Sequence, residues 1–255
     1  MIRWAYAFVD RPRDAFPRAC AFWTAVTGTR LSAPRGPDGE FVTLLPHGPA
    51  DACLKAQAVA AGPGGAHIDL AVDDPAATAE EARRLGAAPL HTEPGLEVLR
   101  SPGGQSFCLV AWAGEASRPA PTAAPDGTLS LLDQVCLDVP PEAYDAEAAF
   151  WAALTAWRPV PGSRPEFLDL EPPAHVPVRL LLQRLDTPGP AGAHLDLSCA
   201  DPDAVRAWHQ GLGATFVSRG AHWLVMRDPA GGVYCLTGRD PRTGRVRRRA
   251  GAAGG

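Results

Sequence analysis

Two histidines each stand two residues ahead of an aspartate: His67 before Asp69, and His194 before Asp196. On a strand, residues two apart share a face at a spacing of roughly 6.6 Å. Each imidazole therefore points the same way as its carboxylate, while Ile68 and Leu70 pack on the opposite face. A carboxylate beside an imidazole fixes its tautomer and raises its basicity, which is what a general base requires. The bland alternative is a polar contact at the mouth of a sheet, with no reaction attached. Cys108 points inward between Phe107 and Leu109. Its only cationic neighbour in sequence is Arg100, and a thiol in apolar surroundings has a raised pKa and is inert. It reads as cavity lining, not as a nucleophile.

The two pairs belong to a repeat. The stretch from Gly64 to Pro75 returns as Ala191 to Pro202, with His67 and His194 127 positions apart. Leu85-Gly86-Ala87 matches Leu212-Gly213-Ala214, Ser101-Pro102 matches Asp228-Pro229, and Phe107-Cys108-Leu109 matches Tyr234-Cys235-Leu236. Upstream the offset drifts by one residue in either direction: Phe22-Trp23 answers to Phe150-Trp151, and Gln57 to Gln183. Small loop indels account for the drift. A period this long marks a duplicated domain, since solenoid units run to roughly 20–50 residues.

The elements that must hold these residues follow from local pattern. Trp4 to Val9 reads as a strand. Ala15 to Gly28 reads as a helix, with Phe16, Ala19, Phe22, Trp23 and Val26 on one face and Gly28 as its stop. Phe41 to Leu45 and Ala52 to Val59 read as strands between Pro/Gly-rich turns, and the stretch carrying His67 as another. Asp74 then caps a short helix that begins at Pro75 and ends at Gly86. Leu96 to Leu99 and Gln105 to Trp112 form a hairpin. The second half repeats the programme: strand Leu131 to Val139, helix Glu142 to Trp157, strands Glu166 to Leu170 and Val178 to Leu185. Helix Pro202 to Leu212, capped by Asp201, and hairpin Trp223 to Thr237 complete it. Trp23 and Trp151 read as core. Gly114 to Thr128, rich in Pro and Ala, reads as an exposed tether, and the arginine-rich end from Arg239 as a frayed basic tail.

Composition sets outer limits. The 255 residues carry a net charge of −4, which gives no general pull towards nucleic acid or anionic lipid. No apolar run reaches the length of a membrane span, and the first residues lack a charged region followed by an apolar one; a cytoplasmic location is expected. Six cysteines without a Cys-x-x-Cys pair resemble neither a disulfide framework nor a zinc knuckle, and Cys20, Cys53, Cys136 and Cys199 read as small core side chains. His47, His91, His175, His209 and His222 lack repeat partners and read as surface residues. Lys55 is the only lysine.

Taken together, these marks resemble the vicinal oxygen chelate superfamily of glyoxalases, bleomycin-resistance proteins and extradiol dioxygenases, and more narrowly a tandem glyoxalase-like protein. They are Ala-Phe-Trp in each first helix, His-x-Asp-Leu before Asp-Pro, Leu-Gly-Ala, and the Gly-rich turn before Phe/Tyr-Cys-Leu. The resemblance covers residues 2–112 and 129–238. It implies an α+β fold of two tandem domains, 1–113 and 129–238, joined by a linker over 114–128 and followed by a basic disordered tail over 239–255. Each domain would pair two βαβββ modules into an incomplete eight-stranded barrel around a cavity.

The superfamily's metal enzymes draw ligands from the first and last strand of each module. Carried over, His67 and His194 occupy first-strand positions, with Tyr6 (or Trp4) and Gln134 as their counterparts in the other module. Gln57, Cys108, Gln183 and Cys235 take the last-strand positions, where glutamate is usual. An amide brings neither charge nor much basicity, and one His with one Cys is too few for a stable site. The expectation is therefore a protein that binds a small organic metabolite without a firmly held metal. His67, Asp69, His194 and Asp196 would be its catalytic candidates, and His67 and His194 the ligands of any divalent ion. Tyr6, Gln57, Cys108, Gln134, Gln183 and Cys235 would line the cavities. The alternatives are a divalent-metal-dependent lyase, isomerase or dioxygenase, and resistance-type sequestration of a drug or toxic metabolite. A monomer whose domains pack as an internal pseudo-dimer is expected, with neither nucleic-acid nor membrane partners.

Overall fold

A computed structural model describes residues 1–60, 62 and 64–246. The first domain runs β1 (Ile2–Pro12), α1 (Phe16–Thr27), β2 (Thr29–Leu31), β3 (Phe41–Pro46), β4 (Leu54–Val59), β5 (Gly65–Val72), α2 (Pro75–Arg84), β6 (Ala88–Glu93), β7 (Leu96–Arg100) and β8 (Ser106–Ala111). After a short β9 (Thr122–Ala123), the second runs β10 (Leu129–Val139), α3 (Tyr144–Thr155), β11 (Arg158–Pro161), β12 (Phe167–Glu171), β13 (Arg179–Arg184) and β14 (Gly192–Cys199). It ends with α4 (Pro202–Gly211), β15 (Thr215–Arg219), β16 (Trp223–Arg227) and β17 (Val233–Thr237). The strand orders are β2-β3-β4-β1-β5-β8-β7-β6 and β11-β12-β13-β10-β14-β17-β16-β15, with β9 added against β10. Both sheets are mixed and open-ended: two βαβββ modules meet where β1 pairs antiparallel with β5, and β10 with β14. The expected α+β architecture of tandem, incompletely closed barrels is what forms.

The local signals act as their chemistry demands. Gly28 adopts the left-handed conformation that ends α1, and Asp74 and Asp201 accept backbone N–H bonds at the starts of α2 and α4. The differences lie at edges. The strands β2, β6, β9, β11 and β15 carry no local sequence signal, although the paired βαβββ modules call for all of them but β9. β6 and β15 are exposed at every position, so no alternation of apolar and polar residues marks them. β1 runs past Val9 to Pro12, and that extension carries Asp10 and Arg11 into the ladder.

The domains interlock. Phe22 and Trp23 of α1 pack on Tyr234 of β17, with ring centroids 5.8 and 5.3 Å apart. Phe150 and Trp151 of α3 pack reciprocally on Phe107 of β8, at 5.8 and 4.9 Å. Each first-module helix thus covers the other domain's sheet, and β5 meets β14 between them. Buried carboxylates tie both crossings: Asp228 accepts Trp23 Nε1, and Glu147 accepts Trp151 Nε1 together with Ser101 Oγ and the Gly103 N–H.

Two segments expected to be loose are laid down. In the Gly114–Thr128 stretch, Asp51 accepts the backbone N–H groups of Ala116 and Ser117, Thr122 donates to the Thr27 carbonyl, and β9 joins the second sheet. The arginine-rich end begins with a buried ion pair, Arg239 to Asp133 at 2.8 Å, and an isolated bridge from Arg239 to Val246. The neighbouring carboxylate, invisible to a reading by local sequence, is why Arg239 is not solvated. Residues 247–255 of the expected tail lie outside the described residues. No helix among the described residues is long and apolar enough to cross a membrane.

Candidate functional site

The pairing of β1 with β5 sets Tyr6 opposite Asp69 and Phe8 opposite His67, and β1 with β4 sets Asp10 opposite Gln57 and Phe8 opposite Lys55. Directly opposed residues share a face, so these side chains converge on one side of the first sheet. There all but Tyr6 line an open cavity of about 670 Å³, with Phe41, Val98, Cys108 and Val110 among its apolar walls.

At its floor, His67 Nδ1 lies 2.6 Å from Asp10 Oδ2 and Nε2 lies 3.5 Å from Asp69 Oδ1. The Phe8 ring stacks on the imidazole at 4.2 Å. Lys55 Nζ stands 3.7 Å from Asp69 Oδ2 and 3.6 Å above the Tyr6 ring.

The sequence motif brought His67 and Asp69 to one cavity, with Gln57 and Cys108 beside them. It missed Asp10, which lies beyond the expected strand end and, being closest to Nδ1, is the carboxylate that orients the imidazole. The one signal for Asp10 and Asp138 is parity with Tyr6 and Phe8 or with Gln134 and Cys136, which for Asp10 counts only once β1 is seen to reach Pro12. Lys55 was also missed. Tyr6 lies on the cavity face but beneath the Lys55 ammonium, and its hydroxyl hydrogen-bonds Glu115.

Charge follows from this packing. Burial opposes the His67 imidazolium, but Asp10, Asp69 and Cys108 more than compensate and hold its pKa well above the ordinary value. Burial likewise opposes the Asp69 carboxylate, yet His67 and Lys55 keep its pKa below the ordinary value. Burial pushes the Cys108 thiol up to about 11. A protonated His67 is a proton donor and a hydrogen-bond donor, and a poor base.

The second domain repeats the frame with different contents. His194 Nδ1 lies 2.9 Å from Asp138, and its Nε2 lies 3.4 Å from Asp196 Oδ1. Gln134 donates to Asp196 Oδ2 at 2.6 Å, and Gln183 and Cys235 also line the cavity. Cys136 replaces Phe8 opposite the histidine, and Leu181 replaces Lys55. Without the ammonium, burial keeps the Asp196 pKa above the ordinary value, the reverse of Asp69. The cavity is only about 100 Å³, walled by Phe167, Trp223, Arg239 and Val246. Cys136 therefore lines the cavity and is not merely core, and His222, exposed as expected, stands at its rim. His209 is fully buried instead of exposed, because α4 turns it towards Tyr234.

Both domains bring together a His, an Asp and a Cys whose ligand-type atoms lie within 4.8 Å of one another: His67, Asp69 and Cys108, and Cys136, His194 and Asp196. Asp69 Oδ1 and Asp196 Oδ1 are buried without a hydrogen-bond partner. Such N/O/S donors suit a borderline-soft divalent ion. The second set fits one. The first does not, because the Lys55 ammonium, 3.7 Å from Asp69 Oδ2, already neutralises that carboxylate and would repel the ion. After dialysis at neutral pH, elemental analysis should find substoichiometric metal, and whatever remains should vanish in His194→Ala and persist in His67→Ala. Stoichiometric metal lost in His67→Ala would refute this assignment.

The glyoxalase-like domain matches the chain twice, over residues 7–110 and 134–237. No curated protein matches it. Among solved structures, the chain is similar to 2,2',3-trihydroxybiphenyl 1,2-dioxygenase from Sphingomonas wittichii, at 14% identity and a TM-score of 0.60, over 93% of this chain and 90% of that one. A mutant 4-hydroxymandelate synthase from Streptomyces coelicolor gives 14% and 0.62, over 92% of each chain. A variant homoprotocatechuate 2,3-dioxygenase from B. fuscum gives 12% and 0.63, over 94% of this chain and 72% of that one. At these identities the likeness is one of fold.

Proposed function

Because the chain belongs to the glyoxalase-like domain family of the vicinal oxygen chelate superfamily, we propose that it binds a small organic molecule in the first-domain cavity, with no firmly held metal there. The observation that carries this reading is the contrast in room. About 670 Å³ surrounds His67, within the range of small-molecule sites, against about 100 Å³ around His194. The first cavity also gathers Asp10, Lys55, His67 and Asp69 against apolar walls, the mixture that orients a ligand while burying its body.

In this reading the Asp10–His67 pair presents an oriented N–H donor, with Nδ1 occupied by Asp10 and Nε2 turned towards the cavity and Asp69. That N–H can polarise a ligand oxygen or protonate a developing oxyanion. The linker over 114–128 and residues 239–246 act as packed straps that complete the two domains.

A metal-dependent reading keeps one observation in its favour, the unpartnered Asp196 Oδ1 beside His194 and Cys136. Those three residues would hold a borderline-soft divalent ion, which would supply Lewis acidity. A cavity of about 100 Å³ leaves little space for an organic substrate beside it, so this set suits a structural ion.

The size difference is itself the handle for a test. Leu96 begins β7 where Trp223 begins β16, and Leu96 lines the large cavity as Trp223 lines the small one. Leu96→Trp should fill the first cavity without removing a polar group. Ligands found by thermal-shift screening of the intact chain should lose affinity by at least about tenfold in Leu96→Trp, and bind Trp223→Leu as they bind wild type. Hits indifferent to Leu96→Trp would place binding elsewhere.

A further inference from the structure

Lys55 is the only lysine in 255 residues, and β4 delivers it to the inside of the cavity, where few long cationic side chains are placed without a role. Its ammonium is held by an aromatic floor, 3.6 Å above the Tyr6 ring and 5.5 Å from that of Phe8. Asp69 is its only ion-pair partner among the described residues, at 3.7 Å, beyond ordinary hydrogen-bond range. No described residue hydrogen-bonds the ammonium, so its three N–H donors are uncommitted. A group so placed is oriented without being saturated.

The surrounding charges give the ligand a sign. The charged residues lining the cavity are Asp10, Arg35, Lys55, His67 and Asp69. Asp10 binds His67, Asp69 faces both His67 and Lys55, and Arg35 spends its guanidinium on the neutral hydroxyls of Ser32 and Thr43. Neither the Lys55 ammonium nor the Arg35 guanidinium has a hydrogen-bonded carboxylate among the described residues. An anionic group can take those free donors, whereas a cationic one meets Lys55 as a like charge. The walls (Phe8, Phe41, Leu96, Val98 and Val110) suit an apolar body. Asp10 and Asp69 remain elements of repulsion for an anion, but each already has a cationic partner within 3.7 Å.

Resting on the reading of this cavity as the binding site, we infer that Lys55 is its ligand anchor and that the ligand class is a small organic monoanion, a carboxylate on a flat apolar body, gripped by the ammonium with the His67 N–H beside it. The equivalent position in the second domain is Leu181, so the anchor is particular to the first cavity.

A single lysine makes the test direct. Protein labelled with 13C and 15N only at lysine gives one ε-methylene resonance. Benzoate and phenylacetate, titrated to millimolar concentration, should shift it saturably; benzamide should bind more weakly by about tenfold and benzylamine not at all. Lys55→Arg should keep the preference for carboxylate over amide within a few-fold, and Lys55→Met should abolish it. Because Lys55→Met also strips Asp69 of its cation, its melting curve is taken alongside. If Lys55→Met does not fold, the carboxylate-to-amide ratio in Lys55→Arg decides between anchor and bystander. Amide binding equal to carboxylate binding, still sensitive to Leu96→Trp, would overturn the anchor and leave the cavity reading intact. Carboxylates that bind Leu96→Trp undiminished, or probes that never shift the lysine resonance and never bind in a Leu96-sensitive way, would overturn both.

Discussion

Asp228→Ala should destabilise the protein by about 3–5 kcal/mol, the range for removing one partner of a buried ion pair. Arg11 is 1% exposed and Asp228 3%. The carboxylate Oδ2 accepts Arg11 Nε at 2.9 Å, Arg11 Nη2 at 2.7 Å and Trp23 Nε1 at 3.0 Å, while Oδ1 accepts the backbone N–H groups of Ala230 and Gly232. Truncation strands a guanidinium where water does not reach and leaves three further donors unpaired. The guanidinium lies so close to Gly232 that a Cβ there would come within 1.9 Å of it, so the pair has little freedom to relax. Denaturant unfolding of the single variants and of Arg11→Met/Asp228→Ala closes a cycle. The double variant should recover much of the loss, since a packed apolar replacement often matches a buried pair. A loss below about 1 kcal/mol in Asp228→Ala, the size of a surface pair, would show that the interface does not depend on this bond.

The same bond reaches the cavity. Arg11 Nη1 donates to the carbonyls of Asp10 and Gly65, at 2.6 and 2.7 Å. It thereby clips the end of β1 to the start of β5, where Asp10 must stand to hold His67. Gly64, left-handed at φ +78°, lets the chain pass so near that a Cβ would lie 2.1 Å from the Asp10 carbonyl oxygen. One carboxylate from the second domain's hairpin thus pins the lip of the first domain's site. The pseudo-symmetric crossing uses Glu147 from a helix and no arginine, with Val139 where Arg11 would fall. The interface is two-fold in shape and one-sided in charge, and the usable cavity lies on the charged side.

Much of this was legible in the sequence and some was not, for reasons that can be assigned. The repeat and the His-x-Asp parity suffice to place His67 and Asp69 on one face, because strand alternation is a local rule. Asp10 escaped because it lies where the aromatic run of β1 has already ended, and only pairing with β5 keeps that segment extended. Lys55 reads as one more polar residue until the register of β4 beside β1 sets it opposite Phe8. The unequal cavities were beyond reach, since they depend on Trp223 against Leu96 and on where the segment from Arg239 packs. His209 reads as surface for the same reason: its neighbours are Phe22 from the other domain and Tyr234 from β17, contacts that no local pattern encodes.

That histidine should make the fold acid-sensitive. His209 is fully buried, and burial lowers its pKa from 6.5 to about 4. Its Nδ1 meets the Tyr234 hydroxyl at 2.9 Å, and Nε2 is buried without a partner, so a second proton would create an N–H with neither acceptor nor counter-charge. The unfolded chain binds that proton near pH 6.5 and the folded chain does not until about pH 4. Between those values the unfolded state holds more protons, and stability falls as the pH falls, by roughly 1.4 kcal/mol per unit and roughly 3 kcal/mol across the window. The contribution is complete above pH 6.5. His67 and His194 act with the opposite sign: their raised pKa values add stability that is already full below pH 6.5 and is lost only as the pH rises through their folded values. They therefore do not contribute to the acid slope. His209→Gln keeps a hydrogen-bonding group near Tyr234 and removes the titration. Unfolding free energies of both proteins between pH 4 and 7.5 should diverge at neutral pH and converge towards acid, since carboxylate titrations common to both cancel in the difference. A difference that does not change with pH would mean that His209 accepts its proton in the folded protein, and that the contact between α4, β17 and Phe22 opens enough to let water in.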